Sequence, residues 1–254
     1  MLEIKNIYKA FNKNTENEVR LFEDFSLNFE TGTCTALIGT NGSGKSTLLN
    51  IIGGSITQDA GEILINGKEI SGLREEQRAV HIGKVHQDTN FGVCQSLTIL
   101  ENMSLADKKG EKFSLKKLID LRKLDVYREL LKELDLGLEN KMGTKVKFLS
   151  GGQKQSLSLI MATMKRPDLL LLDEHTAALD PKTSRNIMDK TRSLIDKEKI
   201  TTLLISHNLR DVVRYSDRII MLNKGKIAID VMAKDITEPD LIKKYKEELG
   251  EYEG

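Results

Sequence analysis

Short apolar runs rich in β-branched residues recur along the chain and predict strands. They lie at residues 2–7, 33–38, 62–65, 169–172, 201–205 and 218–222. Stretches with the helical spacing of apolar residues separate several of them. The runs at 169–172 and 203–205 are apolar throughout, which is typical of parallel strands covered on both faces by helices. The pattern predicts an α/β fold with a mostly parallel sheet.

Three other regions have a different pattern. The first third of the chain has more polar strands, which are expected to be shorter and antiparallel, with the polar segment 12–18 as a hairpin loop. Residues 114–136 place Leu and Ile among many charged residues without a strand pattern, which predicts an inserted helical subdomain. The end of the chain, 238–254, predicts a charged amphipathic helix. We therefore expect a single domain over 1–254, with a core and antiparallel β subdomain at 1–87 and 165–254 and a helical subdomain at 88–164.

Composition narrows the function classes. The 39 Lys and Arg residues nearly balance the 38 Asp and Glu residues of the 254-residue chain, so no overall charge attracts a polyanion and no nucleic-acid partner is expected. The purest apolar runs are far shorter than the roughly 18 residues of a spanning helix. The first residues lack a secretory signal. We expect a cytosolic chain in which Cys34 and Cys94 are reduced.

The strongest motif directly follows the strand predicted at 33–38 and precedes a helical run at 47–52. It reads Gly-Thr-Asn-Gly-Ser-Gly-Lys-Ser, which is the P-loop pattern in the context that the pattern requires. Its glycines let backbone N–H groups point at phosphate oxygens, and the helix adds its positive end. A chance glycine turn is the alternative reading. The residues expected to bind nucleotide are Gly39, Asn41, Gly42, Ser43, Gly44, Lys45, Ser46 and Thr47.

A P-loop alone indicates only a nucleoside triphosphate, and a second motif adds the chemistry. The apolar strand at 169–172 ends in Asp173 and Glu174. Asp173 is placed to hold Mg²⁺ together with the Ser46 hydroxyl, and Glu174 is placed to orient or deprotonate the attacking water. The alternative interpretation is an ordinary acidic pair at the end of a strand. The presence of the P-loop favours a role in binding Mg²⁺ and activating water.

A third motif, Leu-Ser-Gly-Gly-Gln at 149–153, precedes an apolar helix face at Leu157, Ile160, Met161 and Met164. Ser150 is placed to cap that helix, and the two glycines leave its N-terminus open to phosphate. In isolation, an ordinary N-cap is the simpler interpretation. The residues concerned are Ser150, Gly151, Gly152 and Gln153.

The order of these motifs, with Ala-Leu-Asp at 178–180 and a later histidine, resembles an ATP-binding cassette (ABC) ATPase nearly end to end. The resemblance implies a P-loop NTPase core that binds ATP and Mg²⁺. It also implies a head-to-tail dimer in which each ATP lies between the P-loop of one copy and residues 150–153 of the other. Closure and reopening of such a dimer would do mechanical work on attached partners.

The resemblance gives roles to further residues. Gln87 is similar to the glutamine that contacts Mg²⁺ and the attacking water, and His207 to the histidine that contacts the γ-phosphate; a lone His is otherwise more often structural. Asp180 is similar to the aspartate that communicates across the dimer. Phe11 is the first candidate for stacking on adenine, and Tyr8 is the second. Together with Glu174, His207 and Gln87, Lys45 completes the expected catalytic set.

Some positions depart from the usual pattern of the family. Ser156 stands where many relatives have arginine, residues 160–164 replace a common Ala-Arg-Ala stretch, and Ala177 replaces a common serine. These features are similar to a bacterial subgroup that works with a permease and an extracellular substrate-binding lipoprotein, with amino acids such as tryptophan as suggested ligands.

The expected function is that of the ATPase subunit of an importer, located at the inner face of the membrane through a permease that docks near 87–102. Core packing of the helical subdomain is the alternative interpretation of that segment. The alternative functions are an exporter or lipoprotein-release ATPase, a soluble cassette protein acting on ribosomes or DNA, and a P-loop kinase. A kinase would leave residues 149–153 unexplained, and a single cassette without a long insertion disfavours the soluble class.

Overall fold

The computed structural model of the protein describes residues 1–111 and 118–250. Within them the strands are Leu2–Phe11 (β1), Val19–Phe29 (β2), Cys34–Ile38 (β3), Ala60–Ile65 (β4), Lys68–Glu69 (β5), Ile82–Val85 (β6), Leu169–Asp173 (β7), Thr201–Ile205 (β8), Arg218–Asn223 (β9) and Lys226–Met232 (β10). The α-helices are Lys45–Gly53 (α1), Glu75–Arg78 (α2), Ile99–Asp107 (α3), Leu124–Lys132 (α4), Gly151–Thr163 (α5), Pro181–Glu198 (α6), Leu209–Tyr215 (α7) and Glu238–Leu249 (α8). Residues 114–117 and 251–254, which two of the predicted helical stretches include, lie outside the described residues.

Two sheets organise the chain. The larger has the strand order β10-β9-β3-β8-β7-β6, in which β3, β6, β7, β8 and β9 run parallel and only β10 joins in the antiparallel sense. The smaller, of order β2-β1-β4-β5, is antiparallel throughout. The predicted α/β fold with a mostly parallel sheet and an N-terminal antiparallel sheet is confirmed.

Apolar side chains from both sheets and from α1 form the largest core. Ile4 and Phe22 of the antiparallel sheet share this cluster with Leu49 of α1 and Leu171 of β7. Burial of this apolar surface is the main force that holds the two sheets together. Since α1 begins at the P-loop, the same packing fixes the position of that loop.

A separate cluster lies among α3, α4 and α5. Its buried members include Ile99, Met103, Leu131, Leu157 and Ile160. The apolar face that the sequence predicts for the helix after Ser150 is therefore the face that packs here, with Met161 and Met164 at its partly buried margin. These helices have their own core beside the large sheet.

The expectation of short strands in the first third is wrong. β1 has 10 residues and β2 has 11, and segment 12–18 is the loop of the hairpin that they form. Their register shifts between residues 4 and 10, and Asn6 and Asp24 adopt positive φ angles. Such irregularities interrupt the alternation of apolar and polar positions while the pairing continues. For this reason the sequence pattern predicted only residues 2–7 of β1 and did not predict β2.

Candidate active site

Four neighbouring parallel strands of the larger sheet end along one edge. β3 pairs with β8, β8 with β7, and β7 with β6. The first site residues beyond their carboxyl ends are Gly39, His207, Glu174 and Gln87. Because parallel strands point the same way, these positions share the edge at which open α/β sheets bind ligands.

The P-loop after β3 has no room for side chains at two of its glycines. A Cβ at Gly39, where φ is +142°, would lie 2.2 Å from the carbonyl oxygen of Leu222. At Gly44, where φ is +109°, it would lie 2.9 Å from Cζ of Phe22. The Ser43 hydroxyl is buried without a hydrogen-bond partner among the described residues. A phosphate oxygen is the kind of acceptor that this hydroxyl lacks, so the loop fits a phosphate group.

Lys45 lies inside the loop. Its side chain is largely buried, and Nζ donates hydrogen bonds to the carbonyl oxygens of Gly39 at 2.7 Å and Thr40 at 2.9 Å. Burial lowers the pKa of Lys45, while the carboxylates of Glu174 and Asp173 act in the opposite direction. A cation bound only by carbonyl oxygens at close range is suited to an anionic ligand.

The first turn of α1 completes the loop. Ser46 and Asn41 are exposed, and Thr47 is half-buried. No acidic side chain occupies this turn, so the positive end of the helix dipole is not neutralised locally. The predicted nucleotide-binding residues of the P-loop therefore lie together around one open helix N-terminus.

Asp173 and Glu174 end β7 in different backbone conformations. Asp173 is half-buried, and burial together with the neighbouring Glu174 raises its pKa. Glu174 has a φ of +44°, in the left-handed region, and its N–H donates to the carbonyl oxygen of Ile205 at 3.0 Å. A cation beside Asp173 would stabilise its ionised form.

Glu174 and His207 contact each other directly. Nε2 of His207 lies 2.7 Å from Oε1 of Glu174. The Glu174 side chain is 15% exposed and that of His207 is 46% exposed. The Glu174 carboxylate is therefore mostly shielded from bulk water, and its Oε1 is in contact with the His207 imidazole. A ligand that moves the imidazole would free this oxygen to accept a proton from water.

Gln87 lies two residues beyond β6 and is exposed. Nε2 of Gln155 in α5 donates to the carbonyl oxygen of the adjacent His86 at 3.1 Å, which links this loop to the helix of the third motif. Farther along, the side chain of Phe91 is 62% exposed. Gln87 thus lies between the sheet edge and the helical part of the protein.

Phe11 and Tyr8 lie on β1, outside the edge formed by the parallel strands. Both are partly exposed, with Phe11 at 36% and Tyr8 at 42%. Nζ of Lys9 lies 5.3 Å from the centroid of the Phe11 ring, which is a cation–π distance. Both rings have accessible surface, so their exposure does not determine which of them would stack on adenine.

Ser150 caps α5 as the sequence predicts. Its Oγ accepts a hydrogen bond from the Gln153 N–H at 3.3 Å, and Oε1 of Gln153 accepts one from the Ser150 N–H at 3.2 Å. The two residues form a capping box. A Cβ at Gly152 would lie 2.5 Å from Cγ2 of Thr183, so α5 begins in close contact with α6.

The N-terminus of α5, which is the second helix end predicted to bind phosphate, lies next to the N-terminus of α6. Asp180 caps α6, accepting hydrogen bonds from the N–H groups of Lys182 and Thr183. Among the hydrogen bonds of the described residues, those of 150–153 go to one another, to Leu136 and along α5. None of those bonds joins 150–153 to the P-loop at 39–47.

The residues proposed for a metal are few. Among residues 1–111 and 118–250, no group of three or more His, Cys, Asp or Glu side chains could hold a metal ion. Mg²⁺ is commonly held by one or two protein ligands plus substrate phosphates. The half-buried carboxylate of Asp173 and the exposed hydroxyl of Ser46 are oxygen donors of the type it prefers, so the residues fit a cation that arrives with nucleotide.

Two side chains near the site have no role in the sequence interpretation. His175, directly after Glu174, is buried, and Lys84 on β6 donates to Oδ1 of Asn50 in α1 at 2.9 Å. Burial lowers the pKa of Lys84, although nearby carboxylates oppose the shift. No pattern in the sequence marks a single His as buried or a single Lys as half-buried near a carboxylate; only the fold shows it.

Comparison with known proteins gives the class. The ABC transporter family matches residues 22–177, which is more than half of the chain. The chain therefore belongs to the ABC transporter family and is an ATP-binding cassette ATPase, the ATP-binding subunit of a transport system. No helix among the described residues is long and apolar enough to span a membrane.

Individual relatives refine this picture. A tyrosine transport ATP-binding protein of Clostridioides difficile is 43% identical over 97% of this chain and 99% of the relative. A probable branched-chain amino acid transport ATP-binding protein of Archaeoglobus fulgidus is 33% identical over 89% of this chain and 92% of the relative. A cassette solved as a dimer, in a post-hydrolysis state with ADP and phosphate, is 31% identical and has a TM-score of 0.76, covering 92% of this chain and 99% of that one.

Proposed function

We propose that this ATPase drives the import of a small solute, most simply an amino acid, through a separate permease. The two relatives described above are named for transport of tyrosine and, as a probable assignment, of branched-chain amino acids. An extracellular substrate-binding protein would deliver the solute. The chain would work at the inner face of the membrane, and residues 88–164 would act as a helical subdomain that responds to nucleotide at the core.

The proposed chemistry follows from the edge of the larger sheet. Lys45 and the P-loop backbone bind the phosphates, and Mg²⁺, bound through Ser46, Asp173 and Gln87, would neutralise charge on them. Glu174 accepts a proton from the attacking water. His207, now 2.7 Å from Glu174, moves toward the terminal phosphate when ATP binds and so releases the carboxylate.

The observation that supports the dimer proposal is that the N-termini of two different helices, α1 and α5, are each suited to phosphate. The N-terminus of α1 has the P-loop and the catalytic pair beside it, whereas the nucleotide contacts proposed at the N-terminus of α5 are Ser150, Gly151, Gly152 and Gln153. Each is suited to one side of a nucleotide. A second copy, turned head to tail, would supply the missing side and would place Asp180 near the junction of the two copies.

The permease is proposed to dock at residues 87–102. Phe91 offers an exposed ring, and the loop behind it is held by the buried side chain of Asn102. Oδ1 of Asn102 accepts from the Cys94 N–H at 2.7 Å, and Nδ2 donates to the carbonyl oxygens of Cys94 and Thr98. A firmly braced loop with an exposed aromatic residue is suited to receive a short helix.

Replacement of the proposed base tests the catalytic assignment. We expect Glu174→Gln to keep ATP binding and to lower kcat by a factor of about 10³, because the amide cannot accept the proton. ATP should then accumulate in a dimer that elutes earlier in size-exclusion chromatography. Near-normal turnover by this variant would exclude Glu174 as the base.

Uptake of labelled amino acids tests the transport assignment. Cells that express the chain with its permease should take up tyrosine or tryptophan, and the same cells with Lys45→Ala in place of the natural chain should not. Equal uptake in both strains would show that the chain does not drive this transport.

A further inference from the structure

Glu174 lies on a turn with an unusual backbone. Its φ of +44° is in the left-handed region, which non-glycine residues keep only where their surroundings enforce it. The N–H of Glu174 is bound to the carbonyl oxygen of Ile205, and its own carbonyl oxygen accepts from the Ala177 N–H at 2.9 Å. The first bond fixes the start of the turn to β8 and the second closes the turn on itself, so neither bond holds the turn to the helix that follows.

The turn has little packing on one side. A cleft of about 390 Å³ opens there, lined by Glu174, His175 and His207 together with residues of α6 and α7. His175, at 2% exposure, is the buried side chain of the turn.

His175 reaches α6 through one polar contact. Its Nε2 lies 3.5 Å from Oγ1 of Thr191, whose hydroxyl also lies 2.7 Å from the carbonyl oxygen of Ile187. A carbonyl can only accept, so the single hydroxyl proton of Thr191 goes to Ile187, and Nε2 of His175 must donate. Nδ1 then has no proton and also has no partner among the described residues.

We infer that His175 is a positioning residue for the reaction, which holds the turn of Glu174 against α6 through its contact with Thr191. This inference rests on the proposed role of Glu174 as the base. Asp180 caps the same helix next to the start of α5, so α6 would connect the base to the helix end that would face the partner copy.

The variants Thr191→Val and Thr191→Ser separate positioning from simple packing. Valine has the shape of threonine without the hydroxyl, whereas serine keeps it. In the full chain we expect Thr191→Val to lower kcat about tenfold with KM for ATP within twofold of the wild type, because a displaced base slows chemistry without weakening nucleotide binding. Thr191→Ser should retain kcat within twofold.

Thr163 in α5 provides a matched control. It is also a buried threonine whose hydroxyl donates to the carbonyl oxygen four residues earlier, at 2.8 Å, but among the described residues no hydrogen bond joins it to a histidine. Thr163→Val should therefore keep the wild-type kcat. Wild-type kcat in Thr191→Val, or an equal loss in Thr163→Val, would overturn the inference.

A double-variant comparison tests the pair itself. If the two side chains act through their contact, His175→Leu combined with Thr191→Val should have the same kcat as His175→Leu alone. Independent, multiplying losses would also overturn the inference. Absence of ATP hydrolysis by the wild-type chain would instead contradict the proposed function, so the two failures are distinguishable.

Discussion

At the edge of the larger sheet, the ammonium group of Lys45 is buried and the carboxylate of Asp173 is half-buried. Burial lowers the pKa of Lys45 and raises that of Asp173, so each group is less well solvated in its charged form than it would be in water. Nucleotide phosphate would compensate the first and a divalent cation the second. The residues of this edge are therefore arranged for ligands that arrive together.

Single substitutions can decide whether Phe11 or Tyr8 stacks on adenine. We expect Phe11→Ala to raise the Kd for ATP about tenfold, since stacking of a base on an aromatic ring contributes about 1–3 kcal/mol. Tyr8→Ala should leave it within twofold. Titration calorimetry measures both.

Inorganic tripolyphosphate is the control ligand for this experiment. It has no base, so both variants should bind it as the wild type does. Weaker ATP binding by Tyr8→Ala with no change in Phe11→Ala would assign the stacking role to Tyr8 instead.

The sequence identified most of the residues at the sheet edge because their motifs have fixed spacing. Gly39–Ser46 and the acidic pair at 173–174 follow apolar strands, and both strands form as predicted. His175 could not be recognised in this way. Its burial depends on α6, which begins six residues later and folds back over the turn.

At the scale of elements, α3 and α4 are joined by a small polar cluster. The carboxylate of Asp107, at the end of α3, is paired with Lys123 and accepts a hydrogen bond from the Tyr127 hydroxyl at 3.0 Å. Burial acts to raise the Asp107 pKa, but the hydrogen bonds from Lys123 and Tyr127 outweigh it, so the pKa is lowered. The ionised carboxylate thus stabilises the helical cluster.

Removal of this charge should have an effect that depends on pH. At pH 7 we expect Asp107→Asn to lower the free energy of unfolding by about 1 kcal/mol. The native pKa is below the unfolded value of roughly 3.9, so the stabilisation is complete above that value and is lost as the pH falls through the native pKa. Urea unfolding from pH 7 to pH 3 should show the two proteins converge.

Asp125 in α4 is the control for that measurement, because it pairs only with Arg128 and its side chain is 89% exposed. Asp125→Asn should change stability by less than about 0.5 kcal/mol. A gap between the wild type and Asp107→Asn that stays constant with pH would contradict the electrostatic explanation.

The elements that the sequence predicted well are those with a regular pattern. The buried parallel strands β7 and β8 are continuous apolar runs, and α5 has a clear apolar face. β6 has only four residues and includes Gly83, where a Cβ would lie 2.5 Å from the carbonyl oxygen of Ala162. Such a strand depends on close packing against α5 and leaves almost no local signal.

At the scale of the whole molecule, we propose that the chain carries two incomplete halves of a nucleotide site. α1 and α5 belong to different hydrophobic clusters, and each presents a helix N-terminus suited to phosphate. The related cassette solved as a dimer with ADP and phosphate has the same fold. We propose that a complete site forms only between two copies.

Mixing two inactive variants tests this claim most directly. Lys45→Ala removes the P-loop cation, and Ser150→Arg blocks the start of α5; each protein alone should lack ATPase activity while circular dichroism shows that it is folded. A mixed dimer would contain one site without either change. Random exchange at equal concentrations should therefore restore about a quarter of the wild-type activity, because half of the dimers are mixed and each has one intact site of two.

The control mixture combines Ser150→Arg with the double variant Lys45→Ala/Ser150→Arg, which offers no intact site and should stay inactive. Recovery of about a quarter of the activity in the first mixture, with none in the control, is the result that we predict. If both variants are folded and exchange partners but the first mixture recovers no activity, a site shared between two copies is contradicted.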